Sequence, residues 1–190
     1  MAEPLIKVAI QCGEVRIFNM TIEKEDLKNW VISNRVFIPD EIKVNASILS
    51  IENGLNVKLP REYKDFLALT NDESCSPIDD KSSCLCRYNS KLIVVLVNVL
   101  SNSERLISQT NMLSSSDENG LVNGLVAIGR NYDDDGDAYI IYDVRPSSPT
   151  YQHVFHWRYY VDNLVIGEGL GFLAHSLKEF LSIPTSEDEL

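Results

Sequence analysis

The sequence predicts an α+β fold: a largely antiparallel central sheet flanked by helices. Three observations carry that expectation. Helical patterns lead, strand patterns cluster mid-chain, and an apolar helical stripe closes, an order that segregates helices from strands. Three successive strand candidates, 121–128, 138–144 and 151–157, are joined by turn-forming links rich in Asp, Gly and Pro. Hydrophobic residues make up 44% of the 190, enough for the core of one domain with or without an extension.

From the N-terminus, residues 5–10 and 15–18 are β-like around Gly13 and predict a hairpin. Thr21 can cap a helix with Glu23 in its first turn, because Leu27, Trp30 and Val31 follow at helical spacing. Pro39 punctuates the chain. A second helix is expected over 45–53, from Ile48, Ile51 and Leu55, with Gly54 as its stop. Pro60 suits a first helical position. The helix it opens puts Tyr63, Phe66, Leu67 and Thr70 on one face and Arg61, Glu62, Lys64 and Asp65 on the other, and Asn71 can end it. Residues 72–90 are polar and loop-like. The run 92–99 lacks alternation and predicts a strand buried on both faces. Ser101 to Glu104 has capping-box spacing and opens a helix through about Met112. After the three strand candidates, Leu170, Leu173, Ala174, Leu177, Phe180 and Leu181 trace one stripe, predicting a final helix over about 171–182.

Charge narrows the function. Lys and Arg number 17 against 28 Asp and Glu, a formal net charge of −11. So negative a surface repels phosphate backbones, which argues against nucleic-acid binding, and it speeds encounter with basic partners. No apolar run approaches the ~20 residues a membrane helix needs. The N-terminus lacks a basic start before an apolar stretch, so a cytoplasmic protein with no membrane association is expected. Cys12, Cys75, Cys84 and Cys86 are irregularly spaced and read as reduced thiols.

Several segments imitate chemical motifs. Asn131, Asp133, Asp135 and Gly136 match the start of a calcium loop, but its twelfth position is Tyr142 instead of Glu, and its flanks read as strands. A hairpin turn in which Asp and Gly tolerate unusual backbone angles is the simpler reading. Gly167, Gly169 and Gly171 precede the expected last helix, but Phe172 stands where a dinucleotide loop needs glycine. His153 and His156 are three apart, on opposite faces of a strand, and make a poor pair of zinc ligands. His175 falls near the apolar stripe of the last helix, and Cys75 lies among carboxylates that disfavour a thiolate. No Gly-x-Ser-x-Gly elbow occurs. Neither cofactor nor metal is expected, and the chain reads as a binder, not an enzyme.

Residues 48–67 place Glu52 on a short helix, then Leu59-Pro60, Tyr63 and Phe66-Leu67. This pattern resembles the opening of the SUKH superfamily, the Smi/Knr-type domain. Asp72 after Asn71 departs from the Asn-Gly often found there. Ala127-Ile128-Gly129 and then Gly136 through Asp143 are similar to the family's hairpin, Val154-Phe155-His156 to its next strand, and residues 174–181 to its closing helix. The resemblance covers about 45–182. It implies a SUKH-like domain at 45–183, preceded by an extension at 1–44 (hairpin plus helix) packed on the domain and followed by an acidic tail at 184–190.

The resemblance also implies a function. Such domains in bacteria are mostly immunity proteins that bind and neutralise a toxin, often a nuclease. Other members are regulators or scaffolds, which is the alternative here. A cognate toxin with a basic cleft would suit an acidic surface. The contact residues expected are Asp133, Asp134, Asp135 and Asp137, with Tyr132 as an aromatic anchor, together with Asp79 and Asp80. An exposed edge strand would also permit a homodimer.

Overall fold

Side chains along the central strands alternate between two apolar clusters, and that alternation builds the sheet. In the strand Gly136–Asp143, Tyr139 and Ile141 enter one cluster, and Ile140 and Tyr142 enter the other. The computed structural model describes residues 8–11, 14–17, 21–33, 38–115, 120–133, 136–159 and 162–190, with residues 8–11 and 14–17, Tyr132, Asp133 and Gly136 described by backbone alone. Asp134 and Asp135 therefore lie outside the described residues, as does Cys12.

Strands β1 (Val8–Gln11) and β2 (Glu14–Ile17) form a separate antiparallel hairpin, as expected for that segment. The others are β3 (Trp30–Ile32), β4 (Cys75–Pro77), β5 (Ser83–Tyr88), β6 (Lys91–Leu96), β7 (Val99–Leu100), β8 (Leu125–Asp133), β9 (Gly136–Asp143), β10 (Val154–Arg158) and β11 (Leu170–Ala174). Among the described residues they form one nine-stranded sheet in the order β3-β4-β7-β8-β9-β10-β11-β5-β6. Every pairing is antiparallel. The helices are α1 (Glu41–Gly54), α2 (Arg61–Thr70), α3 (Ser103–Ser114) and α4 (Leu177–Leu181). The fold is α+β with an antiparallel sheet, as its sequence predicts.

Local chemistry explains the helix ends. Asp40 caps α1 by accepting from the Lys43 N–H at 2.9 Å. Asn71 ends α2 in the left-handed conformation, φ 54, which Asn adopts more readily than most residues. Asn102, not Ser101, caps α3 by accepting from the Arg105 N–H at 3.1 Å. Asp72 reinforces that end, accepting from the Ser103 N–H at 2.8 Å and its hydroxyl at 2.6 Å.

Four expectations are corrected. The segment expected to be a helix after Thr21 is a short 3-10 turn, Lys24–Leu27, followed by β3. Trp30 there pairs across to Pro77, and its indole N–H donates to the Leu181 carbonyl at 2.8 Å, so sheet and core contacts outweigh the helical spacing. The loop-like stretch 72–90 carries β4 and β5. In β5, Cys84 and Cys86 are buried while Leu85 and Arg87 are exposed, a period of two. The run expected to be buried on both faces includes the edge strand β6, whose Leu92 and Val94 pair with the exposed Arg87 and Leu85 of β5 on an uncovered face and are 57% and 46% exposed, while Val95 on the other face is buried.

The expected long final helix divides into β11 and the five-residue α4. Phe172 pairs with Phe155 on one side and Arg87 on the other, so β11 is the strand that attaches β5 and β6 to the rest of the sheet. Gly171 is fixed by close approach, since a Cβ there would collide with Cys86 Sγ and the Tyr88 ring. His175 consequently lies in the bend between β11 and α4, exposed, and not in a helix.

Candidate partner-binding surface

The sheet brings Asp79 and Asp80 to the same end as the close of β8 and the start of β9. Cys75 in β4 pairs with Leu100 in β7, which pairs with Gly129 in β8. Strands β4 and β8 therefore run the same way, and both finish at that end. Just beyond β4, Asp79 and Asp80 form an exposed turn, with Asp80 at φ 65. Beside them β8 reaches Tyr132 and Asp133, which pair with Asp137 and Gly136. One strand separates β4 from β8, a lateral distance of roughly 10 Å. Two acidic turns distant in sequence thus share one rim.

The aspartates are not equivalent. Asp137 is ion-paired with Arg130, whose guanidinium lies 5.8 Å from the centre of the Tyr139 ring. Part of its charge is already balanced. Nearby, Arg158 Nε and Nη2 donate to the two oxygens of Asp162 at 2.8 and 2.9 Å. The Tyr159 N–H donates to the Asp137 carbonyl at 3.1 Å, linking this corner to the hairpin. Asp72 and Glu73, only a few residues before Asp79 and Asp80 in the chain, lie elsewhere: Asp72 is buried and holds Ser47 and Ser103, and Glu73 meets Lys43 at 2.8 Å. The flanks of the calcium-like segment are strands that pair with each other up to Asp133 and Gly136.

The opposite end of the sheet carries a groove. Two adjoining cavities of about 390 and 400 Å³ lie there, sharing Asn56, Val57, Asn123 and Gly124. Above it sits a buried anchor. Asp143 accepts from Arg145 Nε and Nη2 at 2.9 and 2.8 Å, from Ser148 Oγ at 2.8 Å and from Thr150 Oγ1 at 2.7 Å. Burial alone would raise its pKa, but these donors hold the carboxyl below its ordinary value.

The residues that carry the family resemblance hold the helices. Glu52 is buried and accepts from Lys58 and Lys64, both at 2.9 Å, and from the Leu59 N–H at 3.1 Å. Burial opposes its ionisation, yet these donors pull its pKa down to about 2. Tyr63 stacks on Tyr142 with centroids 5.7 Å apart. Glu62 is also buried, which pushes its pKa up, and it accepts from the Tyr142 hydroxyl at 3.2 Å and from the Lys178 N–H at the start of α4. Burial pushes the Cys75, Cys84 and Cys86 thiols up to about 12, so they stay protonated at neutral pH. Among the described residues no group of three or more His, Cys, Asp and Glu is placed to hold a metal. None of their helices is long and apolar enough to cross a membrane.

A model of the SMI1 / KNR4 family (SUKH-1) matches residues 45–183. No curated protein and no solved structure matches the chain.

Proposed function

Because the chain belongs to the SMI1 / KNR4 family (SUKH-1), we propose that it is an immunity protein that binds a cognate toxin and neutralises it by occupying a basic cleft. The single observation behind the choice of surface is the convergence of Asp79 and Asp80 with the Tyr132–Asp137 hairpin at one end of the sheet. Carboxylates there would steer a basic partner and then accept charge-assisted hydrogen bonds from its Lys and Arg. Tyr132 supplies an aromatic contact, and Asp133, Asp134 and Asp135 supply charge. The protein acts by occupancy and carries out no chemistry of its own.

The test is capture from the native host with the full chain as bait, read by mass spectrometry. The reading expects one basic toxin domain at stoichiometric yield. Charge reversal of Asp133 and Asp135 should then slow association, most at low ionic strength. Recovery of only regulatory proteins would instead favour the scaffold branch of the family. Unchanged toxin binding and protection in a folded charge-reversed variant would remove the acidic rim from the interface.

A further inference from the structure

The three histidines end in two different environments, and sequence spacing foretells neither. His156 is fully buried, with Nδ1 2.7 Å from the Tyr88 hydroxyl. His153 and His175 are brought together although 22 residues apart: their rings stand 4.9 Å between centroids at 80°, and His153 Nε2 lies 3.4 Å from His175 Nδ1. For an N–H···N hydrogen bond that separation is long. It matches the distance, about 3.3–3.4 Å, between two nitrogens each bound at about 2.0–2.1 Å to one tetrahedral ion.

We propose that His153 and His175 form a two-imidazole site for a borderline divalent transition ion of the zinc class, with its remaining coordination positions open to water or an outside ligand. Imidazole is the side chain such ions take most readily. The pair is held in place. Phe172 packs against His153 at 5.7 Å and against His175 at 4.7 Å between ring centroids. The backbone N–H of His175 donates to Glu179 Oε2 at 2.9 Å, fixing the bend that presents the ring. The ligating lone pairs are Nε2 of His153 and Nδ1 of His175, which puts the ring protons on the other nitrogens. His175 is exposed, so an ion can enter from solvent.

The full chain, stripped with chelator, is titrated with ZnCl₂ by calorimetry, and imidazole nitrogens are followed by NMR. The expected result is one ion per chain, with shifts at His153 Nε2 and His175 Nδ1. His153→Gln and His175→Gln should each weaken binding about tenfold or more, with circular dichroism unchanged. His175→Gln is the decisive variant, because an exposed bend residue can be replaced without disturbing the core. Absence of saturable binding would overturn the proposal, and so would zinc binding of unaltered affinity in His175→Gln.

Discussion

The buried interior and the acidic rim use the same chemical group for opposite ends. In the interior, Glu52, Glu62, Asp72 and Asp143 are buried, and each has named donors. They close the α1–α2 connection, seat α4, cap α3 and pin the turn after β9. At the rim, Asp79 and Asp80 stand in an exposed turn. A buried carboxylate is held by its partners and costs stability when they go. An exposed one adds little stability and acts through the field it projects. The net charge of −11 therefore overstates what the fold uses and points to what a partner would meet.

That contrast can be broken, beginning where the expected effect is largest. Asp143→Ala strands Arg145 and two hydroxyls around a vacated site and should cost about 3 kcal/mol in chemical denaturation. A loss below about 1 kcal/mol, in the range of ordinary exposed substitutions, would mean that the network is dispensable.

Glu52→Gln removes a charge but leaves the shape. It should cost about 2 kcal/mol at neutral pH through weakened bonds to Lys58, Lys64 and the Leu59 N–H. Its pH dependence has a definite sign. The folded-state pKa is lowered from 4.5 to about 2, so the wild type has this stability above pH 4.5 and loses it as pH falls toward 2. Stability curves of wild type and Glu52→Gln should converge over that window. Parallel curves would show that Glu52 is not held by its lysines.

The smallest effect on stability is expected at the rim. Asp79→Lys with Asp80→Asn, which keeps a residue suited to φ 65 at position 80, should shift unfolding by no more than about 0.5 kcal/mol per site. The same double variant should slow toxin association, by about tenfold at low salt, with the gap closing as salt rises. If unfolding were strongly affected and association were not, the assignment of roles to the two regions would be reversed.

The family pattern was legible in the sequence because it is largely local. Glu52, Leu59-Pro60, Tyr63 and Phe66 lie within fifteen residues and serve one helix–turn–helix connection. The amphipathic stripe of α2 and the Asn71 stop are local too, and the structure has both where expected. The strand β5 left a signal in the alternation of Cys84 and Cys86 with Leu85 and Arg87, hidden because cysteine was weighed as a thiol and not as a small apolar side chain. For β11, helical spacing competed with a strand whose partners, Phe155 and Arg87, are remote in the chain. Each acidic turn was visible alone, but that Asp79 and Asp80 share an end with the β8–β9 hairpin follows only from the pairing of β4 through β7 to β8.

From composition and local pattern alone come the α+β class, the acidic character, helices α1 to α3 and the β8–β9 hairpin. Each of these rests on interactions within a few residues or on a sum over the chain. Strand order, the division of the last apolar stripe into β11 and α4, the sorting of carboxylates into buried and exposed, and the meeting of His153 with His175 required the folded chain. They depend on contacts between segments tens of residues apart, and local periodicity carries no record of which distant strand a segment will pair with.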